Sequence, residues 1–205
     1  MSLSAFSLNC TLKPWPETSS TQKLLDEVSR AMQRYGVQTT GTRAVAHAIK
    51  PGVETDEGEG DAWPELRKQI LDADILVLGT PIWLGQPSSV AKRVLERMDA
   101  FLGEADPRGR YPTYGHVAVV AVVGNEDGAH HVTAELYQAL ADVGFTIPAA
   151  GATYWVGEAM GSTNYLDLAT APDKVATVTE LLASNAAHLA ALLNVEPYPG
   201  WNDAE

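Results

Sequence analysis

The sequence has one cysteine in 205 residues, few basic side chains and no long apolar run. A single thiol, Cys10, cannot close an intrachain disulfide, and no Cys/His grouping has zinc-ligand spacing. A reducing cytoplasm suits such a chain. Fourteen Lys and Arg against 26 Asp and Glu leave a formal net charge of −12, a field that repels nucleic acid and anionic lipid at long range. No nucleic-acid partner is expected, and a phosphorylated ligand has to be held by local donors such as backbone N–H groups and hydroxyls. The longest apolar runs, 75–78 and 117–123, fall far short of the roughly 20 residues of a membrane span. The first ten residues carry no basic n-region, so a soluble, unprocessed chain without a membrane partner is expected.

Nucleotide and nucleophile motifs are missing as well. Gly58 and Gly60 lie in the acidic stretch 51–61 with no strand before them, and neither GxxxxGK[ST] nor GxSxG occurs. His130 and His131 are adjacent, so on a helix they point about 100° apart and cannot chelate one metal. No metal ligands and no catalytic acid, base or nucleophile are assigned. The 51–61 stretch, PGVETDEGEGD, lacks both apolar periodicity and EF-hand register, and reads as a solvated loop.

What the sequence does have is alternation. Short aliphatic runs at 2–8, 37–45, 75–79, 117–123 and 145–153 read as strands. Between and after them, 20–35, 63–72, 88–102, 131–143 and 172–193 carry apolar residues at three-to-four spacing and read as helices. In the first helix Leu24, Leu25, Val28, Met32 and Tyr35 share a face, Ser20 or Thr21 suits the N-cap, and Gly36 suits the C-cap. Several strands lack polar alternation, as strands covered on both faces do. The expectation is one α/β domain over 1–205, a doubly wound five-stranded parallel sheet with helices on both faces. Residues 195–205, with Pro197 and Pro199, form a non-helical tail in which Trp201 contacts either the body or a partner subunit.

In such a sheet, ligands bind outside the carboxyl ends of the strands. The loop after the first strand gathers Thr11, Thr18, Ser19, Ser20 and Thr21 around Lys13 at a helix start. A phosphate suits that combination of dipole, N–H groups and hydroxyls, and an ordinary capped Ser/Thr-rich loop suits it equally. The loop after the third strand, Pro81-Ile82-Trp83-Leu84-Gly85, presents an aromatic between a proline and a glycine. The loop after the fourth strand, Gly124 to Gly128 with Asn125, lets backbone approach a planar ligand edge or serves as a plain turn.

Together these three loops, NCTLKPWPETSST, GTPIWLGQPSSVAKRVLERMD and VVGNEDGAHHVTAELYQAL, resemble the NAD(P)H-dependent FMN reductase family of flavodoxin-like proteins. The resemblance covers about residues 2–193. Thr80, Pro81, Trp83, Gly85, Lys92 and Asp99 match the family's loop and helix beside the flavin. The resemblance implies FMN as cofactor and NAD(P)H as electron donor. By the same resemblance Thr11, Lys13, Ser19, Ser20 and Thr21 hold the phosphate, and Pro81, Ile82, Trp83, Leu84 and Gly85 lie along the ring. Gly124, Asn125 and Gly128 would then touch its pyrimidine side. Lys13 stands where the family has Arg, and Pro14, Trp15 and Pro16 lengthen the loop.

The implied activity is hydride transfer from NAD(P)H through flavin to a small acceptor such as a quinone or free flavin, in a homodimer or homotetramer. Trp155 and Tyr165 are expected as walls of the substrate cavity, or else as parts of a structured connection. The rival functions are a flavodoxin-type electron carrier without NAD(P)H activity and a cofactor-free α/β binding module.

Overall fold

A computed structural model describes residues 2–159 and 161–202. The third residue of the chain to enter the sheet, Phe6, already shows the plan: it faces one helical layer while its neighbours Ala5 and Ser7 face the other. Strands β1 (Ser4–Asn9), β2 (Gln38–Arg43), β3 (Ile75–Trp83), β5 (Val117–Gly124) and β6 (Ala152–Val156) form a parallel sheet in the order β2-β1-β3-β5-β6. The two-residue β4 (Gln86–Pro87) folds back antiparallel on the end of β3. This is the flavodoxin-like strand order, which reverses direction between β1 and β3 and opens a crevice there.

Helix α1 (Ser20–Arg34) and α5 (Asp173–Val195) cover one face of the sheet. α2 (Trp63–Leu71), α3 (Ser89–Met98) and α4 (Ala129–Asp142) cover the other. β5 is buried at every position because both layers press on it, which explains its unbroken aliphatic run. α5 is long and apolar enough to cross a bilayer by length and composition. Its Leu182, Ala183, Ala186 and Ala190 are nonetheless buried in the α1-side core, which accounts for the apolar composition.

Four expectations change. The fifth strand is Ala152–Val156 rather than 145–153. Pro148, the left-handed Ala150 (φ 53°) and Gly151 turn the chain, leaving Thr146 only an isolated bridge to Val117. β3 does not stop at Gly79 but continues to Trp83, since its extra residues pair with β5 and β4. The cap of α1 is Ser19, whose hydroxyl accepts from the Gln22 N–H at 3.2 Å.

The acidic stretch, finally, is anchored at its end. The side chains of Asp61 and Arg97 are fully buried and paired at 2.7 Å. Asp61 also accepts from the N–H groups of Lys50, Glu57 and Trp63, and Arg97 donates to the carbonyls of Lys50 and Glu54. Burial opposes ionisation of Asp61, yet the Arg97 and backbone bonds outweigh it and hold the carboxyl well below its ordinary range. The pair fastens the back of α3 to this loop.

The tail follows α5 and turns onto the body. Asn202 donates to the carbonyls of Arg108 and Pro107, Thr146 donates to the Tyr198 hydroxyl, and the Trp201 indole lies over Gly109. These contacts sit at the amino edge of the sheet, where β5 begins. Residues 203–205 of the expected tail lie outside the described residues.

Candidate flavin site

The crevice is built from the carboxyl ends of β1, β3 and β5, and each contributes one loop. At the end of β1, the Asn9 side chain accepts from the Thr11 N–H at 2.9 Å, folding the chain outward. The Cys10 N–H reaches the Gly79 carbonyl of β3 at 2.7 Å, and the Ser88 hydroxyl donates to the Cys10 carbonyl at 2.6 Å. One serine therefore caps α3 and tethers the first loop to the third. Cys10 is fully buried, and burial raises its thiol pKa far above the ordinary value, so it offers no nucleophile.

The first loop has an anchor that sequence reading misses. Arg43, at the end of β2, is almost fully buried, and its Nη1 donates to the carbonyls of Lys13, Pro14 and Glu17 at 3.0, 3.1 and 2.8 Å. Its guanidinium also stacks 3.8 Å from the centre of the Trp15 ring. Burial lowers the Arg43 pKa, opposed by the charges of Glu17 and Asp26. Three carbonyls fan onto one nitrogen, which holds the lengthened loop in a single shape. The signal for it lay 30 residues downstream, at a strand end, where neither motif nor spacing identifies it.

At the top of α1, the first-turn N–H groups of Ser20 and Thr21 have no intrahelical acceptor, as at every helix start. Thr11, Ser19 and Thr21 are buried around that start, while Lys13 is exposed at its rim. Lys23 closes the far side by donating to the carbonyls of Tyr165 and Leu168. The Ser20 hydroxyl accepts from the Leu166 N–H at 3.2 Å. Dipole, free N–H groups and hydroxyls make this a place for a phosphate.

The end of β3 and β4 forms a two-residue hairpin, with Leu84 (φ 53°) and Gly85 (φ 74°) both left-handed, as a type I′ turn requires. Ile82 is buried beneath it, Pro81 is half-buried, and Trp83 and Leu84 are 53% and 91% exposed. A leucine held left-handed in the open costs about 1–2 kcal/mol. The loop after β5 and the first turn of α4 hold it there: the Leu84 N–H donates to the Glu126 carboxylate at 2.7 Å, and Gln86 contacts His131 at 2.9 Å. Gly128 is the closest approach, since a Cβ there would stand 3.0 Å from the Gly85 backbone. Asn125 is in turn held by Asn164 at 3.2 Å, and Gly124 is buried at the end of β5.

The structure thus brings the first-loop, hairpin and 124–128 residues to one edge. It does not place Trp155 and Tyr165 at a cavity wall. Trp155 points from β6 into the α5-side core and Tyr165 is fully buried, their rings 5.4 Å apart. Tyr165 donates to Glu27, and burial followed by this bond raises its pKa. Both residues back the site, because β6 is an edge strand whose inner face needs apolar filling. Lys92 on α3 and Asp99 just past its end are exposed, with Lys92 3.9 Å from Glu96.

The donor set fits FMN: a helix start with hydroxyls and a lysine for the phosphate, and two backbone-lined loops for a planar ring. Comparisons with known proteins agree. The model of the NADPH-dependent FMN reductase family matches residues 7–161. The chain is 33% identical, over 97% of its length and 81% of the relative's, to an 8-demethyl-8-aminoriboflavin-5′-phosphate synthase of Streptomyces davaonensis. It superposes with a TM-score of 0.88, at 31% identity, on the crystal structure of RosB with bound 8-demethyl-8-formylriboflavin-5′-phosphate, covering 98% of this chain and 84% of that one. A protein of Mycobacterium bovis described as the divalent metal cation transporter MntH is 43% identical over 80% of this chain, which spans only a quarter of that relative's length.

Proposed function

The chain belongs to the NADPH-dependent FMN reductase family, and on that footing we propose that it is a flavin oxidoreductase whose ligand lies across the carboxyl ends of β1, β3 and β5. When bound, FMN supplies the two-electron chemistry that links NAD(P)H to a small acceptor. The observation that carries this reading is the meeting of the Leu84–Gly85 hairpin with the 124–128 loop beside the α1 start.

The residues do the positioning. Thr11, Ser20, Thr21 and Lys13 bind the phosphate with the α1 N–H groups. Pro81 to Gly85 set the plane in which a ring can lie, and Trp83 offers a face on which a second ring can stack. Backbone N–H groups at Gly124 and Asn125 stabilise negative charge on a ring edge, while Gly128, whose N–H donates to the Asp127 carboxylate, lets the loop approach closely. Asn164 keeps Asn125 turned toward its neighbours. Leu12, Trp15, Trp83 and Leu84 leave an exposed apolar rim, which a second copy of the chain covers in this reading.

One observation favours a second reading, in which a flavin phosphate is the substrate and not a resident cofactor. The two flavin-phosphate-processing relatives match nearly the whole chain. Titrating the purified chain with FMN and then, anaerobically, with NADPH and NADH tests both. Flavin bands that bleach, with FMN recovered at unchanged mass, support the oxidoreductase. Recovery of a flavin of altered mass after a separate incubation in air with an amino-group donor supports the second reading, and failure to bind FMN defeats both.

A further inference from the structure

α5 runs for 23 residues on the outside of the α1-side layer, and its buried residues account for only one of its faces. On the face turned away from the sheet, Val178, Leu181, Leu192 and Val195 are 36%, 48%, 52% and 86% exposed. With the half-buried Asn185 and the exposed His188 between them, they follow one another at alternating steps of three and four residues. That spacing keeps all six side chains in one stripe, as the seam between two paired helices requires. From 178 to 195 the only carboxylate or amine is Glu180, which turns toward α1 and bonds Arg34 and Tyr35.

Three features of the stripe point to what covers it. From either end it has the same chemistry: Val, Leu, the polar pair Asn185 and His188, then Leu and Val, at spacings that also match in both directions. Two antiparallel copies therefore set Val178 against Val195, Leu181 against Leu192 and Asn185 against His188, which is the self-complementarity a twofold contact needs. The polar pair is the second feature. Asn185 Nδ2 donates to the Ala149 carbonyl at 2.7 Å, which orients the amide and leaves its Oδ1 to accept from a His188 ring N–H across the axis. One polar position in an apolar seam fixes register between paired helices, whereas the same two side chains pressed into lipid would lose their partners. Charge is the third. In a chain of net charge −12 two like surfaces generally repel, and along this stripe no carboxylate faces another.

We propose that α5 pairs with the α5 of a second copy of this chain, antiparallel across a twofold axis that passes between Asn185 and His188. The seam from Val178 to Val195 is about 26 Å long, and by itself it lies toward the low end of specific interfaces, near ~1,200 Å² in total, so a reversible, concentration-dependent pair is expected. This contact differs from the rim at Trp83 and Leu84, because α5 covers a face of the sheet while the rim stands at its carboxyl edge. A chain that uses both contacts is a tetramer with two kinds of twofold axis. The seam does not depend on the flavin reading.

Sedimentation velocity of the full chain, with and without FMN, tests this with two variants of the same pair of exposed positions, each checked for fold by circular dichroism. In Leu181→Glu with Leu192→Glu, carboxylates face each other across the axis. The mass of the parent assembly is expected to halve, with the dissociation constant of the pair rising about a hundredfold (2.7 kcal/mol). In Leu181→Lys with Leu192→Glu, lysine faces glutamate in an antiparallel pair but lysine faces lysine in a parallel one, so the parent mass is expected to return. FMN affinity is expected to be the same in all three chains. A parent that assembles through the seam without binding FMN defeats the flavin reading and leaves this one standing. A parent that stays monomeric at hundreds of micromolar overturns the proposal, as does an unchanged mass in the doubly acidic variant. Dissociation of the lysine–glutamate variant to the same degree overturns the antiparallel pairing. A monomeric parent that floats with phosphatidylcholine vesicles assigns the stripe to a lipid surface and overturns the proposal too.

Discussion

Arg43 shows how one side chain sets the shape of a ligand loop. Lysine in its place keeps the charge, but a single amine has neither the planar fork nor the stacking face. Arg43→Lys is expected to fold and to weaken FMN binding about tenfold (1.4 kcal/mol), read by quenching of flavin fluorescence. Asp61 makes a different prediction. Its carboxyl titrates lower in the folded chain than in the unfolded one, so its contribution is fully present above the unfolded value of about 3.9 and fades as pH falls further. Asp61→Asn leaves Arg97 buried without its counterion, which costs about 3–5 kcal/mol near neutrality. Urea unfolding at several pH values is expected to show that deficit shrinking in acid. Candidate site residues with chemical character, such as Thr11, Lys13 and Trp83, can be named from the sequence. Arg43 and the Asp61–Arg97 pair were not, because long-range burial and not local pattern brings each arginine to its partners.

At the scale of elements, the proposed site turns on the hairpin after β3. Gly128→Ala would press a methyl against the Gly85 backbone and also take an unfavourable φ of 123°. It is expected to weaken FMN binding about tenfold (1.4 kcal/mol) while the far-ultraviolet circular dichroism stays unchanged. Glu126→Ala frees the Leu84 N–H and should act in the same direction more weakly, by about threefold (0.6 kcal/mol). An unaltered affinity in both variants would remove the hairpin from the site. Helices and buried strands were readable from periodicity, since α1 buries Leu24, Leu25, Val28 and Met32 as the spacing requires. The hairpin was not, because Leu84 takes a backbone conformation its type avoids, and contacts from distant residues, Glu126 and His131, hold it there with the strand pairing. The fifth strand was misplaced for a related reason. Phe145 to Ile147 look like strand because they are apolar, but Phe145 is buried against Phe101 and His116 instead.

For the whole molecule, the proposal places stability and ligand binding at different edges of the sheet. The tail contacts cluster at the amino edge and the candidate site at the carboxyl edge. A chain ended after Val195 is expected to lose about 1 kcal/mol, which at this size lowers the unfolding midpoint by about 2–4 °C, with FMN affinity unchanged. A matching loss of affinity would show that the two edges are coupled. Light scattering with and without FMN checks whether a second copy covers the apolar rim around Trp83 and Leu84. The sequence by itself determined the layered α/β architecture, the family and the three loops, since periodicity and residue chemistry are local properties of a chain. Which side chains cross from one element to another was decided only in three dimensions. Arg43 onto the first loop, Glu126 onto the hairpin, and Ser7 opposite Gly41 are contacts between distant segments, and the strand order that creates them leaves no mark on either segment alone.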